Sequence, residues 1–307
     1  MSFPSADTLG TMTEQVVSSL LGWDGAGEQH TSLVSGIDSS AVSFDVTDAD
    51  TVSRGVIEID GELMWVDGCA AVTVALPSWG RGYRGTTPAA HSAGAKVVVN
   101  PVFPASVAER AINDEVRALY PNVFAVKTAA TFAYDTSDYE YVLPADCVRV
   151  LSVRAQRSGY DEWDEIDRWD VKHSLPTAVY TTGKAIVLPS GIGPGDSVQI
   201  VYAARPSAMT ASTDVFATVT GLPASSKDVV VLGAMIRLLP TMDYMRLPTR
   251  TAEADAVGSS RQGGLAVTIA EKLRDQYARR VTEERTALFD QYRIPVHNVN
   301  MRPGWFS

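Results

Sequence analysis

Cysteine is scarce in this sequence of 307 residues, which contains only Cys69 and Cys147. The two lie far apart, and neither belongs to a CxxC pair or stands near a histidine-rich segment. A disulfide framework or a structural zinc site needs several cysteines at short, regular spacings. The sequence therefore predicts neither, and we expect both cysteines to fill small apolar spaces in a core.

Long hydrophobic runs are also missing. The longest, at residues 229–240, is interrupted by Arg237 and falls well short of the roughly 20 residues that a membrane-spanning helix needs. The opening residues lack the basic segment and the continuous apolar core of a secretory signal. We expect no membrane partner and a protein that stays in the compartment where it is made.

Positive charge is in short supply, since 26 lysines and arginines against 36 carboxylates give a formal net charge of −10. Affinity for nucleic acid comes mainly from cations that neutralise phosphates, so this balance excludes a surface that grips DNA. The imbalance is uneven: residues 1–60 contain ten carboxylates and a single cation, Arg54, whereas residues 293–307 contain two arginines and no acid. The two ends of the chain therefore differ in electrostatic character.

Motifs of nucleotide-binding and hydrolytic enzymes are absent as well. Gly80, Gly82 and Gly85 resemble a phosphate-binding loop, but no lysine stands at the required position. The GIGPGD stretch at 191–196 precedes a strand pattern instead of opening a helix, which is the wrong order for a dinucleotide site. No GxSxG occurs, and the four histidines are scattered. The sequence predicts no catalytic residue, no metal ligand and no cofactor.

A small β module is predicted at residues 54–100. Residues 56–66 alternate in polarity on both sides of the Asp-Gly dipeptide at 60–61, which favours a two-residue type I′ hairpin. Strand patterns follow at 71–76 and 95–99.

The connection between the last two strands contains RGYRGTTPAAHSAG, residues 81–94. Its glycines allow positive φ angles. We expect Thr86 or Thr87 to cap a single turn through residues 88–91. His91 is predicted to be a hydrogen-bonded turn residue, because the sequence places neither an orienting carboxylate nor a nucleophile beside it.

Helical patterns flank the module on both sides. A short amphipathic helix is predicted at about 8–21, and Ser106 followed by Glu109 is a capping-box pattern that opens another. The apolar stripe of this second helix comprises Val107, Ala111, Ile112, Val116 and Leu119. A third helix follows Pro223, with Ser225 and Asp228 at its start. Pro240 is expected to kink or end it.

A long helix is predicted from about residue 268 to residue 292, after a glycine-rich break. Its packing face comprises Ile269, Leu273, Tyr277, Val281, Leu288 and Tyr292. Between the helical regions, strand patterns occur at 131–134, 139–143, 148–155, 177–182, 185–189 and 197–205. Short strands at that spacing indicate a sandwich or a small barrel.

The predicted fold class is α+β: a helical body with an inserted β-sandwich or barrel-like domain, an N-terminal small β module and an extended C-terminal tail. The predicted divisions are an N-terminal region at 1–103, a helical body from 104–126 and 207–292, an inserted β domain at 127–206 and a C-terminal extension at 293–307.

The C-terminal extension ends in NMRPGWFS and is too short to form its own core. Arginine, tryptophan and phenylalanine side chains of this kind dominate interface hot spots. We expect the extension to bind a partner, and the alternative is that it folds back on its own domain. The candidate binding residues are Val299, Met301, Arg302, Trp305 and Phe306.

Residues 57–101, which contain IEIDGELMWV and RGYRGTTPAAHSAGAKVVV, resemble a β module that recurs in virion proteins of tailed bacteriophages. The rest of the chain, with its β domain set in a helical body and a long charged helix leading into a tail, is similar to head-to-tail connector proteins of the adaptor type.

The resemblance implies a structural virion protein at the head–tail junction, made in the host bacterial cytoplasm. It would form a ring, commonly of twelve copies, under the portal protein, with the tail of each copy reaching into the portal. Downstream neck and tail proteins would bind the ring, and double-stranded DNA would pass through its lumen without sequence-specific binding. The module loop would define the fold or a subunit interface through Arg81, Gly82, Tyr83, Arg84, Gly85, Thr86, Thr87 and His91.

Two alternatives remain open at this point. In one, the chain is another neck or tail component that uses the same β module. In the other, the β domain binds or cleaves carbohydrate through Trp163 and Trp169 with Glu162 and Glu165. The same acidic stretch does not follow the spacing of a calcium loop.

Overall fold

The computed structural model describes residues 7–22, 28–254 and 262–292, and for 241–254 and 262–270 it describes the backbone alone. The described residues divide into two compact units. The N-terminal unit comprises residues 9–22, 28–114, 231–254 and 262–266, and the C-terminal unit comprises residues 7–8, 115–230 and 267–292.

The fold mixes helices with antiparallel sheets, as the sequence predicts. The described ranges contain the helices α1 (Leu9–Leu21), α2 (Ala105–Ala118), α3 (Phe216–Thr220), α4 (Lys227–Ala254) and α5 (Gln262–Gln291). Their strands are β1 (Gln29–Ser32), β2 (Ser43–Asp45), β3 (Gly55–Ile59), β4 (Glu62–Val66), β5 (Gly68–Ala70), β6 (Thr73–Ala75), β7 (Lys96–Val99), β8 (Ala125–Thr128), β9 (Phe132–Ala133), β10 (Glu140–Val142), β11 (Cys147–Gln156), β12 (Trp163–Glu165), β13 (Asp170–Lys172), β14 (Ala185–Val187) and β15 (Ser197–Ala204). Within these ranges no sheet closes into a barrel, and no helix combines the length and apolarity needed to cross a membrane.

The β module folds as two small sheets in the N-terminal unit. One has the strand order β1-β7-β3-β4 and the other the order β2-β6-β5. Both bury their apolar residues in one core, whose members include Phe44, Ile57, Met64, Val74 and Val97. The predicted hairpin is confirmed: β3 and β4 pair up to Ile59 and Glu62, and both turn residues, Asp60 and Gly61, have positive φ.

Helix α2 begins one residue before the predicted cap. The backbone N–H of Ala105 donates to Glu58 Oε1 at 2.7 Å, so Ser106 lies inside the first turn. The predicted stripe is buried at Ala111, Ile112, Val116 and Leu119, but the prediction for Val107 is wrong. Val107 is exposed, and Ala108 is the buried residue of that turn.

The β domain of the C-terminal unit contains a five-stranded and a three-stranded sheet. The first has the order β12-β11-β15-β8 with β9 also on β15, and the second has the order β10-β14-β13. Both contribute to one core, with Val153 and Ile200 from the larger sheet and Ile186 from the smaller. The strand predicted at 177–182 is wrong, because that stretch forms turns, where Tyr180 N–H and Gly183 N–H donate to preceding carbonyls.

The long helices differ from their predictions at their ends. Helix α4 does not end at Pro240 but continues to Ala254. A proline removes one helical hydrogen bond, and the part of the helix before it buries Val229, Val230, Ala234 and Leu238. Helix α5 begins at Gln262, several residues before the predicted start.

The described part of the predicted packing face of α5 is the face that the structure buries most. Leu288 is buried, and Leu273, Tyr277 and Val281 are half-buried. The sequence analysis missed Glu284, which is buried on the same face and accepts hydrogen bonds from Ser225 Oγ at 2.6 Å and Ser226 Oγ at 3.2 Å. Ser225 therefore holds α5 in addition to preceding α4.

Replacing Leu288 by alanine should destabilise the C-terminal unit. We expect L288A to lower the free energy of unfolding by about 2–5 kcal/mol, because the truncation leaves a cavity under α5. The exposed Thr282 on the same helix provides the control, and T282A should change the value by less than about 0.5 kcal/mol. Urea denaturation of both variants measures the difference, and equal effects would contradict the burial of this face.

Candidate functional site in the β module

The structure gathers three of the eight predicted loop residues around one carboxylate. Arg81, Gly82 and His91 all contact Glu62, the first residue of β4. The loop between β6 and β7 therefore lies against the end of the β3–β4 hairpin. No role for Glu62 was predicted from the sequence, although the Gly-Glu pair after the turn was part of the resemblance.

Glu62 is saturated with donors. Arg81 Nε donates to Oε1 at 2.8 Å, Arg81 Nη2 donates to Oε2 at 2.9 Å, and the backbone N–H groups of Gly82 and Ala89 donate at 3.0 and 2.9 Å. His91 Nε2 lies 2.9 Å from Oε2. Burial opposes the charge, but the hydrogen bonds from Arg81, Ala89, His91 and Gly82 outweigh it and lower the pKa of Glu62 to about 2.

Arg81 ties a second loop into the same network. Its Nη1 donates to the carbonyls of Asp38 at 2.7 Å and Ala41 at 3.1 Å, and its Nη2 donates to the carbonyl of Ala89 at 2.6 Å. Its side chain is only 6% exposed. A planar guanidinium can make a two-pronged contact with the Glu62 carboxylate and still reach these carbonyls, which a lysine cannot.

His91 is satisfied by hydrogen bonds, as expected, but it is not a turn residue. Its backbone pairs with Ile37 in an isolated antiparallel bridge. Its ring is buried between two carboxylates, with Nδ1 2.9 Å from Asp60 Oδ2 and Nε2 2.9 Å from Glu62 Oε2. An orienting carboxylate is thus present, but both ring nitrogens are occupied by carboxylates and neither contacts a nucleophile. The His91 ring therefore joins the loop to the turn and the first residue of β4.

The helical turn of the loop lies earlier than predicted. It is a 3₁₀ turn at Tyr83–Gly85, and residues 88–91 do not form a turn. Thr86 contributes by accepting the N–H of Leu63 at 3.1 Å and donating to the carbonyl of Tyr83 at 3.0 Å. Thr87 is exposed. The prediction failed because Glu62 draws the backbone N–H of Ala89 away from a local turn.

Two other loop residues, Tyr83 and Arg84, form a cluster with two tryptophans. Tyr83 contacts both Trp65 and Trp79, with ring centroids 5.5 and 6.3 Å away, and Arg84 lies 5.8 Å from the Tyr83 ring centroid. Successive residues of a strand point to opposite faces, so Trp65 and Glu62 lie on opposite faces of β4. Trp65 and Trp79 were not predicted as site residues, and the alternation along β4 was the available signal for Trp65.

The other predicted residues lie in the C-terminal extension and in the β domain. Val299, Met301, Arg302, Trp305 and Phe306 lie outside the described residues. In the β domain, Trp169 packs against the core while Trp163 lies on β12. No three His, Cys, Asp or Glu side chains in the described ranges converge closely enough to hold a metal ion.

Comparison with known families gives one match. The sequence model of the SU10 adaptor protein family matches residues 91–288, nearly two thirds of the chain. The match begins at His91 and runs through the β domain into α5, so residues 54–90 of the β module lie outside it. No curated protein matches the chain.

Removing the charge of Glu62 should destabilise the N-terminal unit strongly. E62Q leaves the buried guanidinium of Arg81 without a counter-charge, so we expect the free energy of unfolding to fall by about 3–5 kcal/mol. Asp67, whose pair with Arg54 is exposed at 3.7 Å, provides the control. D67N should cost about 0–1 kcal/mol in the same denaturation experiment, and equal losses would contradict the buried pair.

Acid should destabilise the N-terminal unit by protonating the carboxylate of Glu62. Because folding lowers the pKa of Glu62 from its usual 4.5 to about 2, its contribution is complete above pH 4.5 and is lost as the pH falls towards 2. Between pH 4.5 and pH 2, the free energy of unfolding should decrease more steeply in the native protein than in E62Q as the pH is lowered. Parallel curves would show that Glu62 does not titrate in this window.

Alanine substitutions at two glycines of the loop distinguish the cost of a steric clash from the cost of backbone strain. Gly82 and Gly85 both have positive φ, but a Cβ on Gly82 would lie 2.7 Å from the carbonyl oxygen of Thr86, whereas a Cβ on Gly85 meets nothing within 4 Å. G85A should cost about 1–2 kcal/mol for the left-handed conformation alone. G82A should cost about 1–3 kcal/mol more for the clash. Thermal unfolding of both variants tests this order, and an equal cost would contradict it.

Proposed function

We propose a head-to-tail adaptor role for this chain, which belongs to the SU10 adaptor protein family, a family of phage structural adaptors. The match over residues 91–288 is the observation that carries the proposal. The family is generally non-enzymatic, and adaptors of this kind interact with portal and tail proteins in the virion. In this proposal the chain joins a ring under the portal, commonly of twelve copies, and continues the DNA channel.

The division predicted from the sequence provides the parts for such a ring. In the proposal, residues 104–126 and 207–292 form the helical body around the channel, and residues 127–206 form the β domain inserted in it. The acid excess, 36 carboxylates against 26 lysines and arginines, supports a channel wall to which a passing duplex does not adhere.

Residues 293–307 are proposed to anchor each copy in the portal. Arg302, Trp305 and Phe306 would bury their side chains in a cleft of the portal ring, which is the usual way in which aromatic and arginine residues carry binding energy. This segment contains two arginines and no acid, whereas residues 1–60 contain ten carboxylates and one cation.

A second candidate is a neck or tail component at a station beyond the portal. The observation in its favour is that residues 54–90 lie outside the family match and resemble a module used by several virion proteins. A carbohydrate site in the β domain is not favoured, since Trp169 is half-buried and packs against the core, which reduces the ring area available for stacking on a sugar.

Removing the tail should abolish portal attachment without unfolding the chain. A variant lacking residues 294–307 should bind purified portal rings at least about 100-fold more weakly, because two aromatic anchors each contribute about 2 kcal/mol or more. The tail double variant W305A/F306A should reproduce most of the loss. Biolayer interferometry on immobilised portal rings measures the affinity, with circular dichroism as the check of folding.

The matched control is D138N/D167N, which alters two exposed carboxylates of the β domain outside residues 160–165. It should bind portal rings as the native chain does. Full-strength attachment of the truncated chain would refute the anchor, and glycan cleavage that E162Q/E165Q abolishes would restore the carbohydrate alternative.

A further inference from the structure

The β module carries an aromatic patch that is only partly covered by the rest of the fold. It is formed by Trp65, Trp79, Tyr83 and Arg84. Trp79 is 59% exposed although it contacts Trp65 and Tyr83 at centroid distances of 6.1 and 6.3 Å. A tryptophan exposed to this degree has most of its apolar area still available for a partner. Tryptophan, tyrosine and arginine are also the residues most enriched in interface hot spots.

Arg84 is held in a backbone conformation that favours glycine. Its φ and ψ are 55° and 26°, in the left-handed region, where a side chain costs about 1–2 kcal/mol. Glycine would fit this position without strain, so the arginine side chain is retained at a cost to folding. Strained backbone of this kind is concentrated at functional positions.

The guanidinium of Arg84 has no carboxylate partner among the described residues. Arg81, three residues earlier, is fully engaged by Glu62, and the exposed Arg54 pairs with Asp67. Arg84 instead lies over the Tyr83 ring at 5.8 Å, exposed to solvent. The patch therefore combines apolar ring faces with one unpaired positive charge, and its complement is a surface that offers carboxylates beside apolar groups.

The chain itself carries such a surface in its β domain. Between Tyr160 and Trp163 lie Asp161 and Glu162, and Glu165 follows on β12; all five are exposed, Tyr160 to 70%. Within this stretch Asp164 pairs with Arg157, whose Nε lies 3.7 Å from Asp164 Oδ2. Residues 160–165, the acidic segment, therefore match the aromatic patch in both charge and apolar character.

We propose that the aromatic patch of one copy binds the acidic segment of the next copy in the ring. A closed ring of more than two copies needs two different, complementary surfaces on each subunit, because each contact is head to tail. This inference rests on the proposed ring, and it assigns the two surfaces that close it. Arg84 pairs with the carboxylates of the acidic segment, and Trp79 packs against Tyr160 or Trp163.

A charge exchange between the two surfaces tests the pairing. We expect R84E to weaken association between copies at least about tenfold, and E162R/E165R to do the same. Combining the three changes should restore most of the lost association, because opposite charges again face each other. R54E, the same charge change on an exposed arginine elsewhere in the module, is the control and should associate as the native chain does.

R84G separates binding from folding. Glycine relieves the left-handed strain, so R84G should unfold at the same or a higher temperature than the native chain while associating as weakly as R84E. Sedimentation velocity of the full chain at increasing concentration measures association, and negative-stain microscopy of mixtures with portal rings counts the copies bound.

Each outcome bears on the pairing. Loss in R84E with recovery in the triple variant supports it. Native association in R84E, or a triple variant no better than its parents, overturns it while leaving the adaptor role intact. Weaker binding of single R84E copies to the portal would show that the patch faces the portal instead of a second copy. A native chain that neither binds the portal nor associates with itself would overturn both proposals.

Discussion

One buried carboxylate, Glu62, organises the longest irregular connection of the β module. A buried charge is costly unless it is paired and its hydrogen-bonding capacity is filled. Glu62 meets both conditions, because Arg81, His91 and two backbone N–H groups surround it. Since those donors come from one loop, satisfying the carboxylate fixes the path of the chain between β6 and β7.

The same interaction positions the surface on the other side of β4. Fixing Arg81 and Gly82 sets the start of the 3₁₀ turn, and the turn presents Tyr83 and Arg84 beside Trp65. Glu62 and Trp65 point to opposite faces of one strand. The module thus places a satisfied charge network inside and an unsatisfied aromatic and cationic patch outside, and the proposed contact between copies depends on both.

Local patterns predicted the mixed α and β composition and several of its elements, and two of the failures come from long-range contacts. The turn at Asp60 and Gly61 and the packing face of α5 follow from neighbours in sequence, so both were predictable. The partners of His91 were not, because Asp60 and Glu62 lie about thirty residues earlier and only the folded sheet brings them together. Likewise, the helix through Pro240 depends on tertiary burial that overrides local propensity.

The functional account joins a family membership that covers residues 91–288 to a module and a tail that lie largely outside that range. Its central claim is that copies of this chain form the ring that follows the portal. The number of copies bound to each portal ring measures that claim directly. Native mass spectrometry of the full chain mixed with intact portal rings from the same genome would count them. The account predicts one copy per portal subunit, and the absence of any bound copy with both proteins folded would contradict it.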